Sequence, residues 1–180
     1  ILSDIPSSFV PTAFNQAKQL TDNYKRETYS PDKLEQTLNK AQAKIPGLAG
    51  KLPKQFDTLG QPKTHYQDNS VANVLLNPGF ASRYKLSPAA QLIVDLITET
   101  GDDTLAPRVP GKTVQGNKLT GEQFSRLSQL QGEETAKRIS KIDPNKKTST
   151  KVKKVEKALD KSGEVARKQL MDEFGLQKIK

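Results

Sequence analysis

The chain has 180 residues with a formal net charge of +9, and it contains no cysteine, no tryptophan and a single histidine, His65. These counts exclude a disulfide framework, a thiolate metal site, a cysteine nucleophile and a metal centre built on two or three histidines. Hydrophobic residues make up 33%, which predicts a thin core and a chain that is partly extended or ordered against a partner.

Two amphipathic helices are predicted in the first quarter of the chain. Apolar side chains recur at helical spacing over residues 11–26. Ser30 and Pro31 then fit an N-cap and a first-turn proline, and the proline–glycine pair at 46–47 fits a helix end. Between these signals lies an apolar stripe: Leu34, Leu38, Ala41 and Ile45.

The next stretch, residues 46–69, is rich in glycine and proline and has no helical periodicity, so we expect ordered coil with short extended pieces. A segment of this length without secondary structure is typical of binding loops or wrapped segments. Residues 71–76 fit a short helix. Ser87 then caps a predicted core helix that ends at Gly101 and carries one apolar face: Ala89, Leu92, Ile93, Leu96 and Ile97.

The pattern changes after residue 107. Residues 108–119 predict two short strands around a turn at 115–117. Thr120 and Gln123 form a capping box for a helix, which Gly132 is expected to interrupt before a second short helix. Residues 143–150 have the composition of a linker.

The tail predicts a polar helix from residue 151 that is closed by Gly175. Its narrow apolar stripe is expected to dock in a helical bundle, either on residues 1–142 or on a neighbouring subunit. The stripe consists of Val152, Val155, Leu159, Ala166, Leu170 and Phe174. The fold expected is therefore mainly α, with bundle-like packing, one small β-hairpin, a long ordered-coil segment and an extended C-terminal amphipathic helix.

Positive charge is concentrated at the C-terminal end. Residues 1–110 carry a net charge of +1 and residues 111–180 a net charge of +8. A shift of this kind predicts a domain boundary. We therefore divide the chain into a helical domain over 1–142, a linker over 143–150 and a basic amphipathic helix over 151–180.

The basic residues of this tail are candidates for contact with a phosphate backbone. They are not interleaved with aromatic residues, so base stacking and sequence-specific reading are not predicted. The alternative is a solvated helix face with internal ion pairs, such as Glu164 with Lys168. The candidate residues are Lys146, Lys147, Lys151, Lys153, Lys154, Lys157 and Lys161.

Catalytic chemistry is not predicted for these residues. His65 has no nucleophile or orienting group nearby in the sequence, and Glu122, Glu133 and Glu134 are expected near helix starts, where carboxylates complement the helix dipole. The VPGKT sequence at 109–113 lacks the first glycine of a phosphate-binding loop. We expect no enzyme activity in this segment, no cofactor and no metal.

The ends of the chain give two further expectations. It starts at Ile1 and its only methionine is Met171, so we expect a processed product, a trimmed chain or one part of a longer polypeptide. No apolar run approaches the roughly 20 residues of a membrane span, and the first ten residues lack the basic and apolar regions of a secretion signal. Neither a membrane span nor a secretory precursor is therefore expected.

Four stretches carry a family resemblance: SSFVPTAFNQA (7–17), KIPGLAGKLPKQFDTLGQP (44–62), NVLLNPGFASRYKLSPAAQLIVDLITETG (73–101) and RVPGKTVQGNKLTGEQFSRLSQLQG (108–132). In this order they resemble the large polyvalent protein-associated domains of tailed-phage and prophage polypeptides. The resemblance implies a non-enzymatic segment near the C-terminal end of a very long phage protein, whose transglycosylase, protease or RNA polymerase activity would lie elsewhere. It supplies no catalytic residues, and residues 141–180 fall outside it.

From the resemblance we expect a structural segment of a phage internal virion or ejection protein. It would lie inside the capsid near the portal, dock onto other virion proteins in a homo-oligomeric assembly, contact packaged DNA and enter the host on ejection. Two alternatives stay open: the non-catalytic C-terminal part of a large virion enzyme, such as a peptidoglycan transglycosylase or virion RNA polymerase, and a basic non-specific nucleic-acid-binding module.

Overall fold

The structure is a computed structural model that describes residues 22–45, 47–65 and 86–179. These residues form four α-helices, one antiparallel hairpin and two short 3-10 turns, which confirms the predicted mainly α fold with one small hairpin. The elements are α1 (Lys33–Gln42), the turn Ala49–Lys51, α2 (Pro88–Thr100), the turn Asp103–Leu105, β1 (Thr113–Val114), β2 (Asn117–Lys118), α3 (Gly121–Ile139) and α4 (Thr148–Phe174). The predicted helix over 71–76 and residues 11–21 of the first predicted helix lie outside the described residues.

Local capping residues set the ends of the helices. The side chain of Ser87 accepts the backbone N–H of Ala90 at the start of α2, and Gly101 ends that helix with a φ of 70°, as predicted. The predicted capping box of Thr120 and Gln123 starts α3. The predicted N-cap of α1 is wrong by two residues, because Asp32 rather than Ser30 accepts the free backbone N–H groups of the first turn.

The hairpin is shorter than the range predicted for it. Val114 pairs with Asn117, and the two residues between them have φ angles of 47° and 86°, the positive values that a tight two-residue hairpin turn requires. Gly116 supplies one of these positions at no steric cost. The C-terminal segment closes over this turn, because the side chain of Asn117 donates to the backbone oxygen of Gln177 at 2.7 Å.

Helices α3 and α4 form an antiparallel pair that contributes to two hydrophobic cores. The α2 core takes Ile139 from the end of α3 and Val155 from the start of α4. The hairpin core takes Phe124 from the start of α3 and Leu170 from the end of α4. The other buried members of the α2 core are Leu59, Ala89, Ala90, Ile93, Leu96, Ile97, Leu105, Ile142 and Ala158, and those of the hairpin core are Val114, Leu119, Leu127, Leu130 and Ala166.

The expected division of the tail from the rest of the chain is therefore corrected in two respects. Helix α4 starts at Thr148, so three residues of the predicted 143–150 linker are helical. Both cores also contain side chains from either side of that linker. The basic tail is thus part of the packed structure formed by the residues before it.

Of the ordered coil predicted over 46–69, the described residues 47–65 contain short extended pieces, as predicted, and backbone pairing holds them. Three isolated bridges pair Tyr24 with Thr64, Arg26 with Lys54, and Phe56 with Pro62. The first two also show that residues 22–26 are extended, so the end of the first predicted helix is wrong. A paired partner strand supplies hydrogen bonds for this backbone and overrides the apolar spacing that favours a helix.

The predicted interruption of α3 at Gly132 is wrong, because the helix continues without a break to Ile139. Gly132 instead lies against Gly60, which belongs to a turn closed by Asp57 and has a φ of 80°. A Cβ atom at Gly132 would overlap the backbone of Gly60. This glycine therefore permits close contact between the coil and the helix.

Candidate nucleic-acid interface

The candidate basic residues lie in two parts of the structure. Lys146 and Lys147 belong to the connection before α4, and both are exposed. Lys153, Lys154, Lys157 and Lys161 project from the outer side of α4, opposite the buried Val155 and Ser162, because a helix turns about 100° per residue. Lys151 is half-buried, since its position on the helix is nearer to the core side.

The apolar stripe of α4 faces inward and contacts the chain itself. Val155, Ala166 and Leu170 are almost fully buried. The other three members, Val152, Leu159 and Phe174, are partly buried and pack against the edges of the two cores. Of the two docking partners predicted for this stripe, the structure places it against the preceding residues of its own chain.

The structure adds cations from α3 that the candidate set did not contain. Lys137 and Arg138 in the last turns of α3, and Lys141 just after it, lie opposite Lys154 and Lys157 of α4. Together they line a groove of about 460 Å³ between the two helices, which we call the basic groove. Its residues are Glu134, Lys137, Arg138, Lys141, Ile142, Lys154, Lys157 and Ala158.

One acidic side chain lies among these cations. The guanidinium of Arg138 donates to Glu134 through Nη2 at 2.7 Å, and Lys137 Nζ lies 3.8 Å from the other carboxylate oxygen of Glu134. The Nε atom of Arg138 is buried and has no hydrogen-bond partner among the described residues. The groove thus contains five cations and one carboxylate, so a net positive charge of four is concentrated between two helices.

Away from the groove, one predicted candidate is held by a neighbour on its own helix. Lys161 Nζ lies 2.7 Å from a carboxylate oxygen of Glu164, and this hydrogen bond lowers the pKa of Glu164 below its usual value. The side chains are about half exposed. Ion pairing of this kind supports the alternative of a solvated face for Lys161 but leaves Lys154 and Lys157 free to face the groove.

The three glutamates considered as acid or base candidates all lie on α3. Glu122 lies in the first turn of α3, as predicted. Glu133 and Glu134 lie well inside the same helix, because Gly132 does not interrupt it, so their predicted place at a helix start is wrong. Over residues 22–45, 47–65 and 86–179, no three His, Cys, Asp or Glu side chains are grouped as metal ligands.

Helix α4 is long, but its many charged side chains make it unlike a membrane span. Within the described part of the chain, no helix combines the length and apolar character needed to cross a bilayer. Comparisons with protein-family models, with curated proteins and with solved structures found no match to this chain. The resemblance to a phage domain family therefore stays a prediction.

Proposed function

We propose that this chain is a non-catalytic structural segment of a phage virion polypeptide that binds nucleic acid through the phosphate backbone. The observation that carries the nucleic-acid proposal is that the two sides of α4 have different surroundings. Its apolar stripe is used inside the chain, and its lysines are left on the outer side together with the cations at the end of α3. A surface of this kind attracts polyanions without needing any rearrangement of the core.

The residue types support binding that does not depend on base sequence. The outer surface of α4 carries lysines, together with the exposed carboxylates of Asp160 and Glu164, and no aromatic side chains that could stack on bases. Lysine is a point charge on a flexible stem, which suits a phosphate contact better than the reading of a base edge. The expected ligand is therefore the repeated phosphate of a nucleic-acid strand.

A separate surface supports docking onto other virion proteins, as the family resemblance implies. Helix α1 buries none of its residues, and its apolar side chains are open to solvent, with Leu34 at 78% and Leu38 at 68% exposure. Ile45 and Leu48, which follow the helix in the chain, are exposed as well, at 46% and 39%. Exposed apolar side chains grouped on one side favour a protein contact, and this area is distant in sequence from the basic groove.

The test of this function is the salt dependence of binding to two random-sequence DNA duplexes of equal length and different base composition. Each phosphate contact should contribute about 0.9 to the slope of log affinity against log salt concentration. We expect the two duplexes to give the same affinity and a slope of about −4, corresponding to four or five contacts. Binding that is absent at 50 mM salt, or that differs tenfold between the duplexes, would falsify the proposal.

A further inference from the structure

We propose that the basic groove is a phosphate-binding site, in which α3 and α4 together hold one phosphate group of a nucleic-acid backbone. This inference rests on the proposed function and names the part of the basic surface that contributes most to nucleic-acid binding. The sequence candidates all lie at or after residue 146, whereas this site needs Arg138 and Lys141 as well.

The composition of the groove indicates an anionic ligand. Its volume of about 460 Å³ lies within the range of small-ligand pockets, roughly 300–1,000 Å³, but such pockets are usually lined mainly by apolar side chains. Here five of the eight lining residues are cations and two, Ile142 and Ala158, form an apolar floor. Because cations outnumber the single carboxylate of Glu134, the groove has a net positive charge that attracts an anion to the space between the helices.

The chemistry of Arg138 favours phosphate over a simple anion. A guanidinium presents five N–H donors in a planar fork that matches two oxygens of one phosphate. In the structure Arg138 uses Nη2 on Glu134, and its Nε has no partner among the described residues. Because this Nε is buried, a phosphate oxygen in the groove accepts from it only after the Arg138 side chain turns toward the groove.

Glu134 acts in this site as a positioning residue that also competes with the ligand. Its carboxylate holds Arg138 and is approached by Lys137, so it occupies donors that a phosphate needs. Its side chain lines the groove and is only 19% exposed. Removing its charge should therefore release Arg138 to the ligand.

The arrangement of lysines beyond the groove favours a strand over an isolated phosphate. Lys154, Lys157 and Lys168 follow one side of α4, and Lys161, which is paired with Glu164, lies between them. At 1.5 Å per residue this line is about 21 Å long. Phosphates follow one another every 3.4 Å along a duplex strand, so several phosphates of the same strand can lie along the line.

The test compares two variants of the full chain that lose the same charge. The groove variant carries Lys141→Gln, Lys154→Gln and Lys157→Gln, and the control carries Lys33→Gln, Lys40→Gln and Lys44→Gln on or beside α1. All six lysines are exposed. Circular dichroism and thermal unfolding verify that both variants fold, and a fluorescent 20-base-pair duplex of random sequence is the probe.

We expect the groove variant to bind the duplex about tenfold or more weakly and to lose about 0.9 from the salt slope, the share of the one phosphate that the groove holds, while the control changes affinity less than threefold. Equal losses in the two variants would overturn the groove assignment and leave the proposed function standing. If neither the wild type nor the variants bind, the proposed function itself fails. A third variant, Lys153→Gln with Lys168→Gln, separates the groove from the outer lysines and should cost less than the groove variant.

Competition experiments test the identity of the ligand, and a Glu134 variant tests the role of its carboxylate. Inorganic phosphate should compete with the duplex only at millimolar concentration, since one phosphate fills the groove alone; competition at micromolar concentration contradicts a strand ligand. Polyglutamate of matched charge should compete more weakly than DNA, and equal competition contradicts a phosphate site.

Glu134→Gln should tighten duplex binding severalfold, whereas a residue with only a structural role would leave binding unchanged or weaken it.

Discussion

Helices α1 and α4 carry similar apolar stripes in the sequence but use them in opposite ways. Leu170 of α4 is completely buried in the hairpin core, whereas Leu38 of α1 is 68% exposed. Both stripes follow helical spacing, so the pattern identifies the apolar side of each helix correctly. Whether that side is covered depends on the neighbouring elements, and α4 has a long antiparallel partner in α3 while α1 does not pack its stripe on any described element.

The strongest way to break this comparison is to place a charge on each stripe. Leu170→Asp should destabilise the chain by about 4 kcal/mol or more, because an unpaired carboxylate would enter a core of fully buried side chains. Leu38→Asp should cost under about 1 kcal/mol, since the side chain is already in solvent. Chemical denaturation of the two variants measures both values, and comparable losses would contradict the exposed position of α1.

Two helix glycines, Gly132 of α3 and Gly163 of α4, differ in what a side chain would contact at their positions. Gly132→Ala should destabilise the chain by about 1–3 kcal/mol, because the new methyl group meets the backbone of Gly60, which cannot move without distorting its turn. Gly163→Ala should instead stabilise it by up to about 1 kcal/mol, since the added Cβ meets only the end of the flexible Arg167 side chain. Thermal unfolding of both variants tests this, and a shift of the same sign in both would be inconsistent with the coil packing on α3.

The capping box at the start of α3 gives a prediction with an intermediate effect on stability. The side chain of Thr120 accepts the N–H of Gln123 at 3.2 Å, and the side chain of Gln123 accepts the N–H of Thr120 at 2.9 Å. Thr120→Ala removes one side of this capping box and should cost about 1 kcal/mol. Thr120→Ser retains the hydroxyl and should restore most of the loss, which distinguishes the cap from simple packing.

The smallest expected effect concerns pH and the contact between the first turns of α3 and the end of α4. Arg126 donates to both carboxylate oxygens of Glu173 at 2.8 Å, which lowers the pKa of Glu173 and raises that of Arg126. The stabilisation is present above the unfolded pKa of Glu173 and is lost as the pH falls through its lower folded pKa.

Because the pair is one-third exposed, its contribution should be about 0.2–1 kcal/mol. Glu173→Gln should lower the stability slightly at pH 7 and remove this part of the acid dependence below the usual pKa of a glutamate. Denaturation of the wild type and the variant at pH 7 and pH 3 measures the difference. An equal acid loss in the two proteins would show that the pair does not contribute.

The features of the fold that the sequence predicted correctly are those determined by residues close together in the chain. Ser87 and Gly101 fix the ends of α2 through contacts within four residues, and the capping box at Thr120 does the same for α3. The turn of the hairpin is likewise decided by its own two residues. Such signals are readable because the residues that create them are adjacent in the chain.

Apart from the N-cap of α1, which is wrong by two residues, the main predictions that failed depended on distant residues. Gly132 lies inside a continuous helix, and its missing side chain leaves room for Gly60, which lies on a coil that precedes it by more than seventy positions. Residues 22–26 are extended because Tyr24 and Arg26 pair with residues beyond α1. The cations Lys137 and Arg138 belong to the candidate site because α3 and α4 pack side by side and bring them opposite Lys154 and Lys157. A short connection after a basic helix end is the sequence signal that could have indicated them.

The most direct measurement of the functional claim is lysine acetylation mapped by mass spectrometry with and without bound duplex. DNA should slow acetylation of Lys141, Lys154 and Lys157, which line the groove, and leave the rates at Lys33 and Lys40 on α1 unchanged. The protection should disappear as salt screens the phosphate contacts. Equal protection of both groups, or protection confined to α1, would contradict a nucleic-acid site formed by α3 and α4.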